Sequence, residues 1–249
     1  MTKFPERGNL KSEDSFHDAY RAALPKIVNP KSQIENRKLM NPKPTFTDRL
    51  RIIFKGILDP IGAFLNRLGL TPNSITLLGL AGTTIGAYVI SQGHMTTGAF
   101  ILLASVLVDA FDGTMARLRG EPSDFGGFVD SVSDRYAELV TFGGLLYYFL
   151  VRSDSPGVML TFVAAAGSVL VSYVKARAEG LGFTAKVGIL TRVERYLVLI
   201  PLLVFDQPFI AVCVIAALAN ITAYQRILHV RAQGHERMRL ERKKRETAS

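Results

Sequence analysis

The sequence is poor in cysteine and histidine, and neither residue type has a spacing that is typical of a metal site. Its 249 residues include one cysteine and four histidines. A single cysteine cannot form an intrachain disulfide, and Cys213 lies in an apolar stretch where we expect it to be a packing residue. The scarcity excludes a disulfide framework. We assign none of the histidines, which are His17, His94, His229 and His235, to a metal.

Three other features are missing. Residues 1–31 contain no apolar run behind their basic residues, so we expect no cleaved signal peptide. There is no internal repeat. Although the chain carries 30 Lys and Arg against 21 Asp and Glu, it has no module of interleaved aromatic and basic residues, and we expect no nucleic-acid partner. With 48% apolar residues, the chain is neither disordered nor collagenous.

The apolar residues are concentrated in runs long enough to cross a bilayer core of ~30 Å at 1.5 Å rise per residue. The sequence therefore predicts an all-α integral membrane protein with six transmembrane helices. The predicted spans are residues 73–92, 97–117, 126–151, 156–176, 187–205 and 208–229. The second, third and fifth carry Asp or Arg residues within them or at their ends.

Basic residues predict the orientation, because Lys and Arg near span ends stay on the cytoplasmic side. Three of the connections between spans contain only Arg152 among them, while the opposite side holds most of the other basic residues. We therefore expect a cell-membrane location with both termini and the site described below in the cytoplasm.

Four segments are predicted along the chain. Residues 1–45 form a polar cytoplasmic extension, and 46–70 form an amphipathic juxtamembrane helix, bent near Pro60, or else a soluble helix packed on the cytoplasmic face. Residues 71–230 form the six-helix domain. The basic tail, 231–249, is a solvated helix or a contact with anionic lipid.

Carboxylates gather on two of the predicted helices. Asp109 and Asp112 are three residues apart and share a helical face with Gly113 and Ala116, while Gly126, Asp130 and Asp134 recur every four residues on the next helix. The short turn between the helices predicts antiparallel neighbours whose acidic faces meet. The small residues would let a bulky ligand or the partner helix approach the backbone closely.

Four converging carboxylates need positive charge among them. Hard oxygen donors without His or Cys indicate Mg²⁺ or Mn²⁺, and four carboxylates can hold two ions of the kind used in phosphoryl transfer. One alternative is a structural role, in which the acids pair with Arg117 or Arg135. Another is a cation-coupled membrane transporter, although that would not explain acids clustered at one membrane face beside a basic loop.

Residues 109–134 read D-x-x-D-G-x-x-A-R, then eight further residues, then G-x-x-x-D-x-x-x-D. This pattern resembles the signature of the CDP-alcohol phosphotransferases. The resemblance covers about residues 50–230. It implies a six-helix membrane enzyme, usually a homodimer, that transfers a phosphatidyl-type group from a CDP-linked lipid to an alcohol and releases CMP. No covalent nucleophile is evident, so direct in-line attack is the simpler scheme.

The resemblance also implies residue roles. Asp109, Asp112 and Asp130 would be metal ligands, and Asp134 would be both a metal neighbour and the general base for the incoming hydroxyl. The residues implied to bind the nucleotide and the CDP-lipid are Asn73, Thr76, Asp112, Gly113, Ala116, Arg117, Ser123 and Gly126.

Within the family, the stretches 130–135, 172–180 and 188–195 look like those of bacterial phosphatidylinositol phosphate synthases, whose acceptor is inositol phosphate. Arginine binds phosphate oxygens bidentately, as a phosphorylated acceptor requires. The implied acceptor-phosphate pocket consists of Lys175, Arg177, Arg192, Arg195 and Arg226. For the basic residues, the alternative is ordinary positive-inside charge. For the reaction, it is a phosphatidylglycerophosphate synthase or an archaetidyl-type synthase. For the function class, it is a transporter or a non-catalytic scaffold.

Overall fold

The computed structural model describes residues 46–120 and 123–248, in which all regular secondary structure is α-helical, as predicted. The predicted extension over residues 1–45 lies outside the described residues. The helices, numbered in chain order, are α1 (Phe46–Arg67), α2 (Pro72–Ser91), α3 (Met95–Arg119), α4 (Asp124–Val151), α5 (Ser155–Gly180), α6 (Arg192–Val204) and α7 (Pro208–Ala248).

Local sequence signals fix the helix ends around the acidic segment. The Thr71 hydroxyl caps α2 by accepting from the Ser74 N–H at 3.2 Å, and Pro72 occupies a first-turn position where no N–H donor is needed. Helix α3 is terminated by the following Gly120, whose φ of 70° is in the left-handed region that glycine adopts without a steric penalty. The Ser123 hydroxyl then caps α4.

Within the described residues, four helices are long and apolar enough to cross a membrane, namely α2, α3, α5 and α7. Only 33 to 44% of the residues in their most apolar stretches are buried, so most of these side chains face outward, as they do in lipid. The protein is therefore a multi-pass membrane protein. Helix α7 continues as one helix through the predicted boundary at residue 230.

The two remaining predicted spans, α4 and α6, are more charged or shorter than these four helices. Helix α4 has 28 residues, but its first fifteen contain all five of its charged residues. Helix α6 has 13 residues, so it is ~20 Å long and shorter than a bilayer core. The predicted span 187–205 becomes helical only at Arg192, because the chain before it follows an irregular path that includes Gly188 at a φ of 127°.

Helix α2 lies along both α3 and α4, the two helices that carry the aspartates. Helix α5 packs on α4 and α7, while α6 packs on α3 and α7, and α1 packs on α3. The acidic faces of α3 and α4 meet, as the short turn predicts, through the side chains of Asp109, Asp112 and Asp130. These two helices make little direct backbone contact and face each other beside α2.

An apolar core lies among the helices, with fully buried side chains from α2, α4, α6 and α7: Ile90, Leu145, Leu203 and Ile215. Close approach of α2 and α4 depends on Gly144, where a Cβ atom would lie 2.3 Å from the Ala87 carbonyl oxygen. The adjacent Gly143 has no atom within 4 Å of a Cβ position. Small residues at such contacts let membrane helices pack closely.

We expect Gly144→Ala to destabilise the protein by about 1 to 3 kcal/mol, because the methyl group forces α2 and α4 apart. Gly143→Ala is the matched control. Its methyl group meets no atom and it improves helix propensity, so its stability should be unchanged or slightly higher. Thermal unfolding of both variants in detergent measures the difference, and equal unfolding temperatures would contradict the close contact.

Candidate functional site

Three carboxylates converge between α3 and α4. Asp109 and Asp112 project from α3 and Asp130 projects from α4, and one oxygen of each lies within 4.8 Å of the others. Asp112 is buried and the other two are half-buried. Because all the donors are carboxylate oxygens, the group fits a hard divalent cation such as Mg²⁺ or Mn²⁺.

Helix α2 orients the buried member of this group. The Thr76 hydroxyl donates a hydrogen bond of 2.6 Å to Asp112 Oδ2, and the Gly113 N–H donates to the other carboxylate oxygen. Thr76 is 3% exposed, so water does not compete for this contact. The hydrogen bonds fix the direction in which Asp112 presents its lone pairs, as the outer neighbours of metal ligands do.

Other residues predicted to bind nucleotide lie at the starts of α2 and α4. Ser123 Oγ accepts from the Gly126 N–H at 2.9 Å, and a Cβ atom on Gly126 would lie 3.6 Å from Asn73 Oδ1. Arg117 is exposed, and its guanidinium donates to Thr114 Oγ1 at 2.9 Å. The structure thus brings Asn73, Ser123 and Gly126 together at the acidic end of the bundle.

Asp134 lies outside the three-carboxylate group and is paired with arginines. It forms ion pairs with Arg192 at the start of α6 and with Arg135, the latter at 3.7 Å. Arg192 also binds Asp109 Oδ2 at 2.9 Å. The guanidinium of Arg192 therefore bridges acids from α3 and α4, and all three residues line one small cleft that Thr76 borders on the α2 side.

The predicted basic pocket divides into two parts in the structure. Lys175 and Arg177 are exposed on α5, whereas Arg195 and Arg226 are both 4% exposed. Arg195 donates to the Leu190 carbonyl at 3.2 Å, and Arg226 donates to the carbonyls of Val171 and Val187 at 2.6 and 2.8 Å. Arg192, in contrast, forms ion pairs with Asp109 and Asp134.

Glu138 is a functional candidate that the sequence reasoning missed. It is 3% exposed and accepts hydrogen bonds from Arg195 and, at 3.1 Å, from Arg135. Arg135 also donates to Ser172 on α5. The available signal was the four-residue spacing of Asp130 and Asp134, which Glu138 extends by one more turn along the same face of α4.

A family-level comparison agrees with this geometry. The sequence model of the CDP-alcohol phosphatidyltransferase family matches residues 69–229. The chain belongs to this family. It is thus a CDP-alcohol phosphatidyltransferase, and the enzyme class implied by the aspartate signature is confirmed.

Named relatives of this phosphatidyltransferase come from bacteria and archaea. It is 38% identical over 165 residues to the phosphatidylinositol phosphate synthase of Mycobacterium marinum. That alignment covers 65% of this chain and 70% of the relative. It is 36% identical over 180 residues to the archaetidylinositol phosphate synthase of Pyrococcus horikoshii. That alignment covers 72% of this chain and 93% of the relative.

Solved structures of a Mycobacterium tuberculosis phosphatidylinositol phosphate synthase share the fold of this phosphatidyltransferase. The form in complex with manganese and citrate aligns with a TM-score of 0.67 over 70% of this chain and 88% of its own, at 32% identity. The form with CDP-DAG bound aligns with a TM-score of 0.66 over 70% of this chain and 93% of its own, also at 32% identity.

Proposed function

We propose that this enzyme transfers the phosphatidyl group of CDP-diacylglycerol to inositol phosphate, giving phosphatidylinositol phosphate and CMP. The observation that carries the proposal is the three-carboxylate group beside the Asp134–Arg192 pair, because it combines cation ligands with a base next to a phosphate-binding side chain. The names of the bacterial relatives support the same donor and acceptor.

In this proposal, Asp109, Asp112 and Asp130 hold Mg²⁺ or Mn²⁺, and Asp134 completes the ligand set for two ions. The relative in complex with manganese supports the choice of metal. Bound divalent cations neutralise charge that develops on the diphosphate as CMP departs. Thr76 keeps Asp112 in position by its hydrogen bond.

Asp134 acts as the general base. It takes the proton of the acceptor hydroxyl while that oxygen bonds to the phosphorus bearing diacylglycerol, and the bond from the same phosphorus to the CMP oxygen breaks. An alcohol has a pKa far above 7, so a positioned base is needed. The ion pair with Arg192 fixes the direction of the Asp134 carboxylate.

The donor binds at the starts of α2 and α4 and along the end of α3. The small residues there leave room for the diphosphate to approach the backbone, and Arg117 neutralises phosphate charge. The proposed donor-binding residues are Asn73, Thr76, Asp112, Gly113, Ala116, Arg117, Ser123 and Gly126.

The acceptor phosphate binds on the α5 and α6 side of the acids. Lys175, Arg177 and Arg192 offer accessible or half-buried cations for its oxygens. Arg195 and Arg226 belong to the same basic region, and their buried hydrogen bonds to the protein suit them to supporting the pocket wall. The relatives named for inositol phosphate products favour this acceptor over glycerol phosphate.

The proposed membrane arrangement has six spans, in which α4 and the short α6 join the four apolar helices. The site and both termini face the cytoplasm of the cell membrane, with the helix over residues 46–70 lying along its surface. The enzyme acts as a homodimer. The positive-inside distribution of basic residues supports this orientation.

An acceptor panel tests the proposed reaction. With CDP-diacylglycerol and Mn²⁺ in liposomes, we expect the purified enzyme to release CMP with inositol phosphate and to release none with inositol or serine, because those lack the phosphate that the arginines bind. CMP and lipid product are quantified together. CMP release with glycerol phosphate instead would keep the family reaction and overturn the acceptor, whereas activity only with a CDP-linked archaeal lipid would overturn the donor.

A further inference from the structure

The chain between α5 and α6, residues 181–191, lacks regular secondary structure and leads directly into Arg192. We call this segment the entry loop. A loop without helix or strand must find partners for its backbone N–H and C=O groups elsewhere. In the entry loop, several of these partners are side chains of α7, which lies alongside.

Two of the partners are on the membrane half of α7. Thr222 Oγ1 accepts from the buried Leu190 N–H at 3.1 Å, and Arg226 Nε donates to the Val187 carbonyl at 2.8 Å. Gly188 lies against the same helix, since a Cβ atom there would be 2.3 Å from Thr222 Cγ2, and its φ is 127°. The end of the entry loop that adjoins Arg192 is therefore pressed onto α7.

The third partner is Gln233, in the segment that the sequence reasoning treated as a tail without chemistry. Its Oε1 accepts from the Thr184 N–H at 3.0 Å, and its Nε2 donates to the Thr184 carbonyl at 2.6 Å. One amide side chain thus satisfies both backbone groups of one loop residue. One turn further along α7, the Arg237 guanidinium lies 5.8 Å from the centre of the Phe183 ring.

These four contacts lie on one stripe of α7, because Thr222, Arg226, Gln233 and Arg237 follow helical spacings of four, seven and four residues. The stripe runs beyond residue 229, where the match to the family model ends. The contact between Gln233 and Thr184 is therefore a feature of this chain that the family signature does not describe.

We propose that Gln233 is a positioning residue, which fixes the entry loop and through it the placement of Arg192 on Asp109 and Asp134. It touches no substrate. Its expected effect on acceptor binding rests on the proposed function, since that function places the acceptor phosphate beside Arg192. Its effect on the loop itself follows from the hydrogen bonds to Thr184 alone.

The test uses the full-length enzyme in detergent or nanodiscs with three variants. Gln233→Leu removes the amide at similar size, and Gln233→Glu keeps the acceptor for the Thr184 N–H while placing a carboxylate against its carbonyl. His235→Ala is the matched control, because His235 is exposed on the same helix two residues away. Amide hydrogen exchange over residues 183–190 reports the loop, and separate KM values for donor and acceptor report the site.

We expect Gln233→Leu to speed exchange in the entry loop and to raise the KM for inositol phosphate about threefold to tenfold, with the KM for CDP-diacylglycerol unchanged. Gln233→Glu should give a smaller change in the same direction, and His235→Ala none. An unchanged unfolding temperature would separate this effect from loss of the fold.

Two results would overturn the proposal. Unchanged loop exchange in Gln233→Leu would show that the amide does not hold the loop, and faster exchange with an unchanged acceptor KM would show that the loop does not position Arg192. If the unmodified enzyme released no CMP with inositol phosphate, the proposed acceptor would fail, while the exchange data would still decide whether Gln233 fixes the loop.

Discussion

Asp134→Asn is expected to lower the rate of CMP release by roughly 100-fold to 10,000-fold, the range that a positioned general base contributes. The amide has the shape of the carboxylate but cannot take the proton of the acceptor hydroxyl. It also loses the ion pair with Arg192. Initial rates with saturating CDP-diacylglycerol and inositol phosphate measure the loss.

Two controls make this result specific. Asp124→Asn changes an exposed acid in the first turn of the same helix and should leave the rate within about twofold, as surface substitutions usually do. At least one Mn²⁺ ion, followed by electron paramagnetic resonance, should still bind in Asp134→Asn, because the three-carboxylate group does not include Asp134. Retention of more than a tenth of the activity would rule out Asp134 as the base.

The second large effect concerns stability rather than catalysis. Glu138→Leu is expected to destabilise the protein by about 3 to 5 kcal/mol, because it leaves the buried charge of Arg195 without its carboxylate. Arg135 loses the same partner but keeps Ser172 and Asp134. Chemical or thermal unfolding in detergent measures the change.

The double variant Glu138→Leu with Arg195→Met is the matched control, since it removes both buried charges together. Replacing a buried ion pair by apolar side chains of similar volume is often neutral, so the double variant should recover most of the lost stability. If Glu138→Leu alone changed the unfolding free energy by less than about 1 kcal/mol, the pair would not be a buried structural element.

The convergence of the acids was predictable from sequence, because helical spacing places Asp109 and Asp112 on one face and Asp130 on another. What the spacing cannot give is the packing between helices. The short turn predicts that the acidic faces of α3 and α4 meet, which they do, but it gives no sign that α2 lies along both helices while the carboxylates reach across between them. Contacts between helices depend on the whole bundle rather than on one turn.

The basic residues show the same limit. Their number and position, before and within the fifth predicted span and on the last one, indicate a cationic region, but spacing does not separate a side chain that contacts acids from one that contacts backbone. Arg192 meets an acid 83 residues away, whereas Arg226 meets carbonyls 55 and 39 residues away. Such long-range partners are set by the folded bundle.

The charged segment 124–138 of α4 has a consequence for how the chain is made. On insertion scales, each Asp or Arg at the centre of a single membrane helix costs about 2.5 to 3.5 kcal/mol. Two arginines of α6 pair with acids that come earlier in the chain. Arg195 follows its partner Glu138 by 57 residues, and Arg192 follows its partner Asp109 by 83 residues, so both cations are synthesised later. The acidic helices α3 and α4 are therefore synthesised first, and their ion pairs with α6 form only after α6 has left the ribosome.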